Sequence, residues 1–339
     1  MVHLKTRTLV LATQPPRART LLVAAAAAAC LLFAVAQLSG THLLRRPYLS
    51  LSTPAPFVRA ASATATSAAS CEPRHPLVLV YNRSPNAGST TMAELLRRLA
   101  ERNGFKHVPL EGPFVPFADV RAAIEDALRV PERSAIEGHF NFPEVLDPRV
   151  AYINVVREPV DRCVSYFYFH KYHHPDFLAD VKTIDACVSR GHQRCCSTEK
   201  HATHPAVQAR FFCGSDNRKA CPSHLDVLAP GLEESDVLSR ALANMDAHYA
   251  VVGLTEHLAT TVAVLERVLP DFFRGAGKVF TTVKRQKPGS SGMLYTYVHP
   301  SNATRVSLSA ETVHDTRLYA HARETFWALR ARCRLGDVS

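Results

Sequence analysis

The sequence predicts one α/β domain with a mostly parallel sheet, preceded by one transmembrane helix. Two observations support this fold class. From residue 76 onward, short apolar runs typical of buried strands alternate with segments of helical periodicity. Nearer the N-terminus, residues 20–38 carry no charge and are mostly Ala, Leu, Val and Phe, about the length that an α-helix needs to cross a bilayer.

The segment before the domain is interpreted as a cytosolic tail at 1–19, a transmembrane signal-anchor at 20–38 and a luminal stem at 39–75. Four basic residues precede the apolar run and two follow it closely, so the positive-inside rule predicts that the domain at 76–339 is luminal. The stem is rich in Ser, Thr, Ala and Pro, which is typical of a solvated tether. A cleaved signal peptide is the alternative, although the region before the apolar run is long for one.

The formal net charge of +10 is concentrated before the domain. Seven of the 40 basic residues and none of the acidic residues precede Ser70, which leaves 33 basic and 30 acidic residues in the body. A net charge of that size does not by itself predict a polyanionic partner, and no nucleic-acid partner is expected. Any anion site must therefore come from particular basic residues.

The domain begins with an apolar strand at 76–81 and a helix at 90–103, which Gly104 is expected to end. Pro159 suits the first position of a helix that follows a strand at 150–156. The other predicted elements are strands at 134–139 and 250–254 and helices at about 235–245, 255–269 and 309–332. An irregular, cysteine-bearing insertion separates the two halves.

Eight of the nine cysteines lie outside the predicted membrane span, in a compartment that permits disulfides. We predict two local disulfides, Cys187 to Cys195 and Cys213 to Cys221. A zinc site is the weaker alternative, because the spacings are not of the paired C-x₂-C type. The cysteines left without a predicted partner are Cys71, Cys163, Cys196 and Cys333.

The loop after the first strand, at 81–91, opens directly into a helix N-terminus. Free backbone N–H groups and the helix dipole favour a phosphate at such a place. The loop lacks the G-x-x-x-x-G-K-[ST] pattern, so it is not a Walker A loop, and an ordinary capped helix is the alternative interpretation. The candidate phosphate-binding residues are Asn86, Ala87, Gly88, Ser89, Thr90 and Thr91.

A second candidate pair follows the strand at 150–156. Arg157 ends that strand, and Ser165 lies two turns into the next helix. A guanidinium and a hydroxyl together suit a phosphate group. The alternative is an ordinary strand-end arginine that pairs with Glu158 or Asp161.

Five segments in one order resemble the uronyl 2-O-sulfotransferases, above all the heparan sulfate 2-O-sulfotransferases. The resemblance covers about residues 76–330. The segments are YNRSPNAGST at 81–90, YINVVREPVDRCVSYFYF at 152–169, ARFFCG at 209–214, VVGLTE at 251–256 and DFFRGA at 271–276.

This resemblance implies a P-loop-like sulfotransferase fold that binds 3′-phosphoadenosine 5′-phosphosulfate (PAPS) and needs no metal. The first loop would hold the 5′-phosphosulfate, and Arg157 with Ser165 the 3′-phosphate. His139 would be the general base that removes the acceptor proton, because a histidine pKa near neutrality suits this task. Arg83 would lie beside the acceptor sugar. The basic loop that would close over the nucleotide contributes Lys284, Arg285 and Lys287.

The sequence departs from the family at Asn86, where the family has a lysine that neutralises the oxygen between phosphate and sulfur. An amide brings no charge, and losing such a donor costs several kcal/mol of transition-state stabilisation. Three interpretations stay open: another cation substitutes, the enzyme is slow, or the chain is a glycosaminoglycan-binding pseudoenzyme. A nucleotide kinase is disfavoured, because the P-loop lysine is absent.

The resemblance further implies a single-pass type II protein of the Golgi membrane that transfers sulfate from PAPS to the 2-hydroxyl of uronic acid. Heparan sulfate is the expected acceptor, and chondroitin or dermatan sulfate is the alternative. Members of the heparan type form trimers, so a homotrimer is one option for the assembly. Asn302 is a candidate glycosylation site in a polar loop, whereas Asn82 is expected to be bare.

Overall fold

The computed structural model describes residues 71–112, 114–174, 176–191, 195–196, 207–214, 221, 233–283 and 298–336. These residues belong to one compact unit, Ser62–Ser339. The predicted cytosolic tail and transmembrane helix and most of the predicted stem lie outside the described residues. Within the described ranges, no helix combines the length and the apolar character that crossing a membrane requires.

The centre of the domain is a sheet of five parallel strands. In chain order they are β1 (Val78–Asn82), β2 (Lys106–Leu110), β3 (Ser134–Gly138), β4 (Val150–Val156) and β5 (Tyr249–Leu254). Their order across the sheet is β2, β3, β1, β4, β5, and every neighbouring pair is parallel. The prediction of a parallel α/β domain is therefore confirmed.

The direction of the chain reverses at the boundary between β1 and β4. After β1 the chain crosses to β2 on one side of the sheet, and after β4 it continues to β5 on the other side. In open parallel sheets, ligands bind at the carboxyl ends of the strands where such a reversal occurs. The topology therefore predicts a ligand site at the loops that follow β1 and β4.

Eleven helices are present among the described residues. They are α1 (Ser89–Asn103), α2 (Phe117–Leu128), α3 (Pro159–His173), α4 (Ile184–Ser189), α5 (Val207–Cys213), α6 (Glu234–His248), α7 (Leu258–Val268), α8 (Pro270–Phe273), α9 (Ala276–Thr282), α10 (Asn302–Glu311) and α11 (Val313–Arg332).

Helix α1 shows how the local sequence determines an element. Its buried face is formed by Met92, Leu95, Leu96 and Leu99, which are spaced for one side of a helix. Gly104 ends it with a φ of 69°, which confirms the predicted stop, because a left-handed residue at this place is best supplied by glycine.

Two of the predicted helices differ from the structure. The single helix predicted at 309–332 is wrong, because the chain forms α10 and α11 with Thr312 between them. Thr312 has a φ of −109°, outside the usual helical range, and this residue separates α10 from α11. The predicted helix at 255–269 begins with a 3₁₀ turn, Thr255–His257, before α7.

Disulfides join distant parts of the domain. The two predicted disulfides, Cys187 to Cys195 and Cys213 to Cys221, are both present. The cysteines without a predicted partner pair as Cys71 with Cys333 and Cys163 with Cys196. Residues 71–75, which the sequence analysis placed at the end of the stem, pack on the domain: the N–H of Arg74 donates to the carbonyl of Val268 at 2.8 Å.

Candidate active site

A cavity of about 410 Å³ is lined by residues that follow β1, β3, β4 and β5. Its volume lies within the range of about 300–1,000 Å³ that is usual for small-molecule sites. Nine residues singled out from the sequence line it together: Arg83, Asn86, Gly88, Ser89, Thr90, Thr91, His139, Arg157 and Ser165. Ala87 lies in the same loop with its side chain fully buried. The structure therefore brings the two proposed phosphate segments and His139 into one site.

The loop between β1 and α1 presents backbone amides to this cavity. Asn86 and Gly88 both have positive φ values, 61° and 74°, so the chain turns sharply just before the helix. Helix α1 has no side-chain cap and no acidic residue in its first turn. Its first N–H groups and the positive end of its dipole are thus available to an anion.

Arg157 and Ser165 extend the anion site from the side of β4. Ser165 lies on α3 and lines the cavity with Arg157. The Nη1 atom of Arg157 donates to the carbonyl of Asn86 at 3.2 Å, so its guanidinium joins the second segment to the first loop. A guanidinium, a hydroxyl and a helix N-terminus around one cavity suit a ligand with more than one phosphate group.

His139 is held in a defined orientation by Arg83. The Nδ1 atom of His139 lies 2.8 Å from the carbonyl oxygen of Arg83, and a carbonyl can only accept. The network therefore assigns the proton to Nδ1 and leaves a lone pair on Nε2. Nε2 lies 3.3 Å from Nη2 of Arg83, a donor, which fits the same tautomer.

Glu137 holds the other side of the Arg83 guanidinium. It is almost fully buried on β3 and accepts from Nη1 of Arg83 at 2.5 Å. His107, on β2, lies 3.4 Å from the second carboxylate oxygen. Burial alone would raise the pKa of Glu137, but His107 and Arg83 outweigh it and hold that pKa below its usual value. Glu137 therefore stays charged and fixes Arg83 beside His139.

The electrostatics keep His139 neutral. Burial is the largest cause that lowers its pKa, and the positive charge of Arg83 acts in the same direction, against the carboxylate of Glu137. A neutral imidazole with an unprotonated Nε2 can take a proton from a hydroxyl group that replaces the Arg83 donor at this atom. The arrangement is thus chemically competent for general base catalysis.

We expect the activity of this site to rise with pH through a midpoint below 6.5, the ordinary value for histidine. The sign follows from the lowered pKa of His139, since only the neutral form accepts a proton and that form persists to lower pH than usual. The measurement is a profile of kcat/KM between pH 4.5 and 8, about the range that histidine controls, with an NMR titration of the His139 ring. An acid midpoint at or above 6.5 in both experiments would contradict the expectation.

The cavity also contains residues that the sequence analysis did not single out. Pro85, Phe169, Thr255 and Leu258 line it, and Phe169 is 39% exposed. Thr255 and Leu258 follow β5, the strand beside β4, so their place at the carboxyl edge of the sheet was available from the predicted topology. Glu137 could have been noticed as an acid within an apolar strand, two residues before His139.

Other candidate residues lie elsewhere. Lys284, Arg285 and Lys287 fall outside the described residues. Asn302 is exposed, but it begins α10 rather than lying in a loop, and the preceding Ser301 caps that helix by accepting from the N–H of Thr304. The side chain of Asn82 is fully buried and donates to the carbonyl of Phe211, as expected for a bare sequon.

The profile of the Sulfotransferase family matches residues 70–270, more than half of the chain. The chain belongs to the sulfotransferase family. One relative is the Drosophila melanogaster "Uronyl 2-sulfotransferase homolog pip", which is 24% identical over 73% of this chain and 52% of its own length. Another is the human "Heparan sulfate 2-O-sulfotransferase 1", which is 26% identical over 62% of this chain and 59% of its own length. The Xenopus laevis heparan sulfate 2-O-sulfotransferase 1 is 25% identical over 75% of this chain and 72% of its own length.

These matches confirm the resemblance found in the sequence to uronyl and heparan sulfate 2-O-sulfotransferases. This sulfotransferase spans only about half to three fifths of the first two of these relatives. A mouse sulfotransferase crystallised with adenosine 3′,5′-bisphosphate (PAP) is 16% identical, and the match covers 78% of this chain and 87% of that chain. Its TM-score of 0.28 is too low to support an argument about the fold or the site.

Proposed function

We propose that this chain is a PAPS-dependent sulfotransferase that acts on the 2-hydroxyl of uronic acid in a glycosaminoglycan, with heparan sulfate as the acceptor. The observation that carries the proposal is the single cavity where a helix N-terminus, Arg157 and the neutral His139 meet. Family membership and the names of the relatives support the reaction and the acceptor.

PAPS supplies an activated sulfuryl group, and the chain's own residues bind and orient it. The loop at 85–88 and the N-terminus of α1 would hold the 5′-phosphate, and Arg157 with Ser165 the 3′-phosphate. Nε2 of His139 would take the proton of the acceptor hydroxyl as its oxygen bonds to sulfur. The bond from sulfur to the 5′-phosphate breaks, which leaves a sulfate ester and adenosine 3′,5′-bisphosphate (PAP).

Arg83 would contribute to acceptor binding. Its guanidinium is only partly buried, already carries the Glu137 carboxylate on one side and faces Nε2 of His139 on the other. A uronate carboxylate bound by Arg83 would hold the sugar ring that carries the 2-hydroxyl beside the base. We further propose that the domain acts in the Golgi lumen behind a type II membrane anchor at 20–38.

A glycosaminoglycan-binding pseudoenzyme is the second candidate, and Asn86 is the observation that favours it, because it brings no charge to the first loop. Acceptor choice between heparan sulfate and chondroitin or dermatan sulfate is the other open alternative.

The test of this function is sulfate transfer by the purified full chain in detergent, from radiolabelled PAPS onto 2-O-desulfated heparan sulfate or dermatan. Transfer to the 2-position of uronic acid in heparan sulfate is the expected result, and disaccharide analysis identifies the position. Transfer to dermatan alone would reassign the acceptor. Glycan binding without transfer to either polymer would favour the pseudoenzyme.

A further inference from the structure

The peptide groups that follow β4 need partners that the sheet does not provide. The pairing of β4 with β1 ends at Ile153, and its pairing with β5 ends at Val156. Arg157 comes next, so its backbone N–H and C=O lie beyond the last strand pair. Backbone groups in a partly buried place of this kind are almost always hydrogen-bonded.

Gln208 supplies both missing partners. Its Oε1 accepts from the N–H of Arg157 at 2.9 Å, and its Nε2 donates to the C=O of Arg157 at 2.8 Å. Gln208 is fully buried on α5 and is 51 residues away in sequence. A carboxamide can donate and accept at the same time, as a neighbouring strand would.

Gln208 is itself fixed from below by Asp315 on α11. The carboxylate of Asp315 is fully buried and accepts from the N–H of Gln208 at 3.0 Å with both oxygens, and from the N–H of Ala209 at 3.0 Å. The backbone of Gln208 is thus fixed, and so is the starting point of the side chain that binds Arg157.

The remaining polar atoms of the same two peptide groups are held from the segment after β5. The hydroxyl of Thr255 donates to the carbonyl of Val156 at 3.0 Å, and Glu256 accepts from the N–H of Glu158 at 2.8 Å. The hydroxyl of Tyr319 donates to the other oxygen of Glu256 at 3.1 Å. The two peptide groups on either side of the Arg157 Cα therefore have both their C=O and their N–H bonded to side chains. Arg157, which lies between them, faces the cavity with its own side chain.

We propose that Gln208 is a positioning residue for nucleotide binding, which fixes the backbone of Arg157 so that its guanidinium meets the 3′-phosphate. The inference rests on the proposed function, because it assumes that Arg157 binds that phosphate. Displacing a binding group by about 1 Å can cost about 10²-fold in activity. Loss of the Gln208 hydrogen bonds would therefore weaken the binding of nucleotides that carry a 3′-phosphate. The binding of nucleotides that lack this phosphate would stay unchanged.

The test compares the affinities of PAP and of AMP, which lacks the 3′-phosphate, for the full chain. Gln208→Met keeps the side-chain length and removes both hydrogen bonds, and Gln208→Glu keeps the acceptor and removes the donor. We expect either change to weaken PAP binding by about 10-fold to 100-fold, to alter AMP binding less than about twofold, and to raise KM for PAPS more than it lowers kcat. Asn244→Ala is the matched control, since the Asn244 amide bonds the carbonyls of Phe212 and Cys213 on α5 without touching Arg157.

The outcomes separate the two proposals. Suppose that the unmodified chain binds PAP. If the Gln208 variants then lose affinity for PAP and AMP equally, or keep their affinity for both, the positioning role is overturned and the proposed function stands. The same holds if both variants fail to fold, because Gln208 then serves the fold alone. If the unmodified chain does not bind PAP, the proposed function fails first. In an Arg157→Ala background, the effect of Gln208→Met on PAP should disappear, since it acts through that side chain.

Discussion

Replacing His139 with alanine is expected to lower kcat for sulfate transfer by about 10²-fold to 10⁴-fold, the usual contribution of a general base. The reason is geometric: Nδ1 is fixed on the carbonyl of Arg83, and Nε2 keeps a lone pair in the cavity. The affinity for PAP should stay within about twofold, because the phosphate-binding groups are contributed by other loops. The measurement combines initial rates at saturating PAPS and acceptor with PAP binding by calorimetry.

Two controls distinguish a role of His139 in proton transfer from a role in holding the structure of the site. His321→Ala removes an imidazole whose Nε2 lies 2.7 Å from Asp246, away from the cavity, and should leave kcat unchanged. Added imidazole should restore part of the activity of His139→Ala, because a free base can enter the space that the side chain leaves. Full activity of His139→Ala, or loss of PAP binding in parallel with kcat, would show that His139 is not the base.

The change Asn86→Lys is expected to raise kcat by about 10²-fold, the effect of one donor placed against developing charge. It should also lower the free energy of unfolding by about 1 kcal/mol, because residue 86 has a φ of 61°, a region that asparagine adopts more readily than lysine. Rates and thermal unfolding of the same preparation measure both effects.

Asn86→Gln is the control for side-chain size, since it is longer than asparagine and brings no charge. If Asn86→Lys leaves kcat unchanged, a cation already present performs the task. Arg83 is less available, since its guanidinium is held by Glu137 and faces His139. A large gain from lysine would instead identify the natural chain as a slow enzyme or a binder.

The strands that were predicted correctly are those whose composition leaves little choice. β4 is a run of apolar and β-branched residues, and its bounds in the structure are those predicted. β2 was missed because it is an edge strand without a fully buried residue. It also contains Pro109, which an edge strand tolerates because the missing N–H is not needed for pairing. Amino-acid composition therefore predicts strands that are buried on both faces well, and it predicts edge strands poorly.

The sequence identified residues that share the cavity where local patterns were sufficient, and their roles stay predictions. The loop at 85–88 and Arg157 follow apolar strands, and a strand, a turn and a helix in succession can be recognised without the fold. The groups that orient them could not be predicted, because Gln208 and Arg157 are 51 residues apart and Arg83 and Glu137 are 54 apart. Their pairing depends on which strands become neighbours, and this is a property of the folded sheet.

The bond between Cys71 and Cys333 closes the domain into a covalent ring, because it joins the chain shortly before β1 to the residue that follows α11. A pull applied to the chain ahead of Cys71 is then divided between two routes, one through β1 at the centre of the sheet and one through the long C-terminal helix. Unthreading β1 from its neighbours would require that helix to move as well. The disulfide therefore shares a load applied ahead of Cys71 between the strand next to the active site and the C-terminal helix.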